Sequence, residues 1–85
     1  MNSKRNGKRA DYHINIFYSG EDSGYIADIP DLAHCSAFGE TPDQALAEVL
    51  LAKEAWLASA RKNRKPIPPP RYRPMLYQLK DIVNH

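Results

Sequence analysis

A chain of 85 residues holds one small domain, and at this length only about 60 to 65% of the unfolded surface is buried on folding, so self-association into a dimer or tetramer is expected to supplement the core. The single cysteine, Cys35, excludes an intramolecular disulfide, and the lack of a long apolar run excludes a transmembrane helix. A soluble, cytoplasmic protein with no membrane partner is therefore expected. The net charge of +2 conceals a strong segregation: residues 1–9 carry +4, residues 10–60 carry −8 with Lys53 as their one base, and residues 61–85 carry +6. An acidic centre of this kind repels nucleic acid and attracts a basic partner.

Residues 1–10 hold almost nothing apolar and read as a disordered basic tail. Order is expected from Tyr12, where Tyr12, Ile14, Ile16 and Tyr18 fall on one face of a strand and His13, Asn15 and Phe17 on the other. Ser19 to Gly24 supplies a hairpin loop with two glycines, and Tyr25, Ala27 and Ile29 then alternate with Ile26 and Asp28 as a second strand. Pro30-Asp31 stops the ladder, with Asp31 read as shaping the turn through an Asx bond, and Ala33 to Phe38 returns as a third strand. Gly39 is read as freeing the backbone before a helix. Its start is specified by Thr41-Pro42-Asp43-Gln44, a capping box with proline in the first helical position.

From Pro42 to about Asn63 the apolar positions Leu46, Val49, Leu50, Trp56, Leu57 and Ala60 share one face at helical spacing, over a length of about 30 Å. Lys53 interrupts that stripe and is expected to snorkel past Trp56 or to meet a carboxylate such as Asp28, while Leu51 and Ala55 point outward. Arg61, Lys62, Arg64 and Lys65 place positive charge at the helix C-terminus, and Pro66-Ile67-Pro68-Pro69-Pro70 forbids continuation. Residues 71–85 read as a C-terminal extension, in which Arg71 to Leu79 offers a candidate edge strand or oligomer contact. The predicted class is α+β: a β-β-β-α order with a candidate fourth strand, its antiparallel sheet packed on one long helix.

Three groupings invite a chemical reading. Glu21, Asp22, Asp28 and Asp31 form the acidic set that a divalent-metal nuclease would need to converge on two metals. His34 and Cys35 pair a thiol with an imidazole, but adjacent strand residues point to opposite faces and no second cysteine exists, so Cys35 reads as a small buried hydrophobe. Tyr72 and Tyr77 interleave with Arg61, Lys62, Arg64, Lys65, Arg71 and Arg73 as in single-strand nucleic-acid binders. Together with Lys4, Arg5, Lys8 and Arg9 of the tail, these bases are candidate nucleic-acid contacts.

The order and spacing of Tyr25, Pro30, Asp31, Leu32, Cys35, Gly39, Thr41, Ala45, Leu46, Trp56, Leu57, Pro66 and Pro68 resemble the HicB-like antitoxin family of bacterial type II toxin–antitoxin systems, over roughly residues 11–70. That resemblance implies a partial ribonuclease H-like domain that is not an enzyme and holds no cofactor, metal or catalytic residue. It further implies a partner, a HicA-like toxin: a small ribonuclease with a double-stranded-RNA-binding type fold that cleaves messenger RNA and uses a histidine. The acidic middle agrees with occlusion of such a basic surface, and Glu21, Asp22, Asp28 and Asp31 around the hairpin are assigned to that contact. The alternative is a stand-alone HicB-like adaptor or RNA-associated module without a toxin. The chain departs from the family in two places. Residues 71–85 are too few for the helix-turn-helix or ribbon-helix-helix module that many HicB-like proteins use on operator DNA, which leaves operator binding in doubt. Ala33-His34 stands where a Pro-Gly pair is common, so that turn is expected to differ locally.

Overall fold

The Ser19 hydroxyl donates to the Asp22 carboxylate at 2.8 Å and accepts the Asp22 N–H at 3.3 Å, which closes the turn that Glu21 and Asp22 carry. On either side of it run β1 (Asn15–Ser19) and β2 (Gly24–Asp28). A third strand, β3 (Ser36–Gly39), pairs with β2, and the helix α1 (Pro42–Lys62) follows. The sheet is antiparallel in the order β1-β2-β3, so the expected β-β-β-α arrangement is the observed one. The computed structural model describes residues 11–74. The basic tail at 1–10, and Tyr77 with most of the proposed C-terminal extension, lie outside the described residues.

Registers of Asn15 opposite Asp28, Ile16 opposite Ala27 and Ala27 opposite Ala37 decide the two faces of the sheet. Tyr25, Ala27 and Ala37 face α1, with Ile16 and Tyr18 on the same side. Phe17, Ile26 and Phe38 form a row across the open face, where Phe17 remains 50% and Phe38 43% exposed. The core gathers Ala27, Ile29, Leu32, Cys35, Ala45 and Val49, with Tyr12, Ile14 and Trp56 packed against it.

Two strand bounds are corrected, and most of the candidate fourth strand, Arg71 to Leu79, lies outside the described residues. The first strand begins at Asn15 instead of Tyr12, because β2 ends at Asp28 and Pro30 just beyond it has no N–H to continue a ladder. Tyr12 is held by its hydroxyl, which donates to the Pro68 carbonyl at 2.6 Å. The third strand begins at Ser36 instead of Ala33, because residues 29–35 make two successive turns: Leu32 N–H donates to Ile29 O at 3.1 Å and Cys35 N–H to Leu32 O at 3.1 Å. His34 sits at φ 61° in the second of these turns, a left-handed backbone that glycine adopts most easily. Among the described residues no fourth strand is present, and residues 71–74 carry no regular structure.

Gly39 does not serve as a flexible joint. No glycine among the described residues has positive φ; in the hairpin that role falls to Ser23, at φ 54°. A Cβ on Gly39 would instead collide with the backbone nitrogen of Ala45, so the missing side chain is what lets the first turn of α1 sit directly on β3. That closeness also resets the helix face. Ala45, Val49 and Ala60 are buried and Ala52 and Trp56 partly so, whereas Leu46 and Leu50, expected at the centre of the stripe, lie at its rim. Trp56 pins this face by donating its indole N–H to the Ala33 carbonyl at 3.0 Å.

Both helix ends are capped as local chemistry directs. The Thr41 hydroxyl accepts the Gln44 N–H at 3.2 Å, and the Gln44 side chain reaches back to the Glu40 N–H at 2.9 Å. At the other end Lys65 N–H donates to Ala60 O at 2.8 Å and Arg64 N–H to Arg61 O at 3.2 Å, a Schellman motif with Arg64 at φ 54° in the position usually given to glycine. Lys53 keeps only 13% of its side chain exposed, and its ammonium reaches Asp11 at 3.3 Å instead of the expected Asp28.

Candidate partner-binding site

Strand direction determines which charges share a surface. Ser19 opposite Gly24 and Tyr25 opposite Gly39 place the 20–23 turn, the end of β3 and the start of α1 at the same end of the molecule. Glu21, Asp22, Glu40, Asp43 and Glu48 are all exposed there, with no lysine or arginine in residues 14–26 or 36–50. The far end of α1, about 30 Å away for a helix of this length, carries Arg61, Lys62, Arg64 and Lys65, with Arg71 and Arg73 beyond. The segregation along the sequence thus becomes two poles of opposite charge.

The four acids expected to meet a partner therefore divide. Glu21 and Asp22 belong to the acidic pole. Asp28 lies at the other end of β2, about 13 Å along the strand, and Asp31 follows it in the first turn. Asp31 makes no Asx bond: its carboxylate accepts the Arg71 N–H at 3.0 Å and the Tyr72 N–H at 3.2 and 3.1 Å, holding the C-terminal segment. Three further acids, Glu40, Asp43 and Glu48, join Glu21 and Asp22. Their signal in the sequence was the capping box, which starts the helix where β3 ends and so beside the hairpin turn.

Between the outer edge of β3 and the flank of α1 runs a groove of about 450 Å³, lined by Phe38, Gly39, Glu40, Gln44, Ala47 and Glu48. Neither the Glu40 nor the Glu48 carboxylate has a hydrogen bond or ion pair among the described residues. Exposed apolar side chains surround this pole, with Phe38 on one side of the sheet and Tyr18, Leu46 and Leu50 on the other.

The remaining chemical candidates resolve by position. Cys35 is buried, and that burial, reinforced by the charge of Asp28 and partly offset by Lys53, raises its thiol pKa above the ordinary 9.0. A thiol so protected from ionisation is a poor nucleophile. No group of three or more His, Cys, Asp or Glu able to hold a metal ion occurs among the described residues. Arg61, Lys62, Arg64, Lys65, Arg71 and Arg73 are exposed at the basic pole, but the Tyr72 ring is already packed on His13 with centroids 4.7 Å apart. Lys4, Arg5, Lys8 and Arg9 lie outside the described residues. No helix among the described residues is long and apolar enough to cross a membrane.

Against curated proteins, the chain is 34% identical over 53 residues to UPF0150 protein ssl0259 of Synechocystis sp., a match that spans 62% of this chain and 73% of that protein. No family model and no solved structure matches it.

Proposed function

This chain belongs to the UPF0150 family, and from that premise we propose that it is a non-catalytic, HicB-like binding protein whose acidic pole occludes a basic partner, a HicA-like messenger-RNA-cleaving toxin. The observation that carries this reading is the convergence of Glu21, Asp22, Glu40, Asp43 and Glu48 on one end of the fold with no base among them. A ribonuclease that grips RNA presents a basic surface, and a pole of five carboxylates competes for that surface while accelerating encounter. Each exposed charge pair contributes little alone, roughly 0 to 1 kcal/mol. The field of the whole pole matters more and is screened beyond about 8 Å at physiological salt. Self-association into a dimer or tetramer belongs to the same proposal, supported by the exposed apolar side chains of β1. The lone buried thiol suits a reducing cytoplasm.

The test is capture of the partner at low and moderate salt, followed by titration of its RNA cleavage. Inhibition that saturates at a fixed stoichiometric ratio and weakens when Glu21 and Asp22 are changed to lysine supports the reading. A second reading, a stand-alone RNA-associated adaptor, is favoured by the four bases Arg61, Lys62, Arg64 and Lys65 at the C-terminal end of α1. It predicts RNA binding that falls steeply with salt and disappears when Arg61, Lys62, Arg64 and Lys65 are changed to glutamine.

A further inference from the structure

We infer that the free edge of β3 is where the basic partner docks: an extended segment of that partner pairs with Ser36–Gly39 and lays an arginine or lysine into the adjoining groove. This rests on the acidic-pole reading above and specifies which part of the pole makes contact.

Strand addition to an exposed edge draws its affinity from main-chain hydrogen bonds and its selectivity from neighbouring side-chain pockets. Both are present here. Among the described residues β3 pairs only with β2, so its other edge is unpaired. Sheet edges in soluble proteins are usually guarded by lysine, proline, a bulge or the shortness of the strand; Ser36-Ala37-Phe38-Gly39 contains neither residue, and its four-residue length is its one guard of this kind. The opposite side of the sheet is approached by the chain's own segment, through Tyr12 on Pro68 and His13 on Tyr72.

The groove beside β3 selects for positive charge. Ala47 leaves it open, and Glu40 and Glu48 contribute carboxylates without partners among the described residues. A guanidinium between these two carboxylates makes charge-assisted hydrogen bonds to both. A second copy of the chain fits the edge poorly. Symmetric pairing of two β3 strands would bring Glu40 and Glu48 of both copies together with no base in residues 36–50 to offset them.

The test is a ¹⁵N NMR titration of the full chain with the acetylated, amidated hexapeptide Arg-Val-Arg-Val-Arg-Thr and with its counterpart bearing glutamate at each arginine. The expected result is amide shifts at Ser36–Gly39 and Gln44–Glu48 with the arginine peptide alone, and affinity at least tenfold weaker in the E40Q/E48Q double variant. Both substitutions are at exposed positions, and an unchanged amide spectrum without peptide verifies the fold. Shifts confined to Glu21 and Asp22 would overturn the β3 site while leaving the acidic pole standing as the contact surface. Binding at the basic pole, or no shift at all, would overturn both.

Discussion

Asp31 and Tyr72 stand 41 residues apart in the chain, yet both Asp31 carboxylate oxygens accept the Tyr72 N–H, at 3.2 and 3.1 Å. With the Arg71 N–H also on this carboxylate, the proline-rich segment is fastened to the turn that follows β2. Hydrogen bonds to a charged acceptor are the stronger kind. Asp31→Ala is expected to lower stability by about 1 to 2 kcal/mol and to speed amide exchange at Arg71 and Tyr72. Partner affinity should stay within about twofold, because Asp31 lies away from the acidic pole. Urea unfolding, amide exchange and a binding titration on the one variant separate these effects.

Gly39→Ala tests the close approach of β3 and α1. The added methyl meets helix backbone, not the tip of a flexible side chain, so relief requires the helix to shift. A loss of about 2 kcal/mol or more is expected, at the upper side of what overpacking typically costs. Gly20→Ala, where nothing lies within 4 Å of the added carbon, should change the urea midpoint little and serves as the control.

His34 and Arg64 hold left-handed backbone at φ 61° and 54° without glycine's freedom. That conformation costs a residue with a side chain about 1 to 2 kcal/mol, against about 0.5 to 1 kcal/mol of extra chain entropy lost by glycine. His34→Gly and Arg64→Gly should therefore each stabilise the fold by about 0.5 kcal/mol or slightly more, and their effects should add because the two turns are separate. Thermal unfolding of the singles and the double measures both statements.

Cys35 gives the fold an alkaline limit. Its thiol, raised by burial and then by Asp28, ionises later in the folded chain than in the unfolded one. The associated stability is fully present below about pH 9, the ordinary value, and is lost as pH rises through the higher folded value, because the unfolded chain releases its proton first. The stability advantage of the native chain over Cys35→Ala should shrink as pH climbs above 9, and thiol reagents should modify Cys35 at neutral pH only as the chain unfolds.

The parts of this fold that could be read in advance are those decided within a few residues. Thr41-Pro42-Asp43-Gln44 carries its own cap, and Ser19 to Gly24 closes on itself, so the helix start and the hairpin are where local chemistry puts them. Gly39 was legible as important but not for the right reason, since the atoms it makes room for belong to the next element. Leu46 and Leu50 have helical spacing appropriate to a core, but small Ala45 and Ala52 take the contact once the helix lies this close to β3. The clustering of acids at one end was half visible. Glu21 and Asp22 were grouped with Asp28 and Asp31 by proximity in sequence, while an antiparallel strand carries Asp28 to the far end and brings Glu40, Asp43 and Glu48 near instead.

Occlusion by the acidic pole is tested by inhibition of the captured partner's RNA cleavage by the native chain and by two charge-reversed variants, Glu21→Lys/Asp22→Lys at the acidic pole and Arg61→Glu/Lys62→Glu at the basic one. The native chain and the basic-pole variant should abolish cleavage at the same stoichiometric ratio, and the acidic-pole variant should need at least tenfold more protein. Equal inhibition by all three, or loss only in the basic-pole variant, would contradict the account.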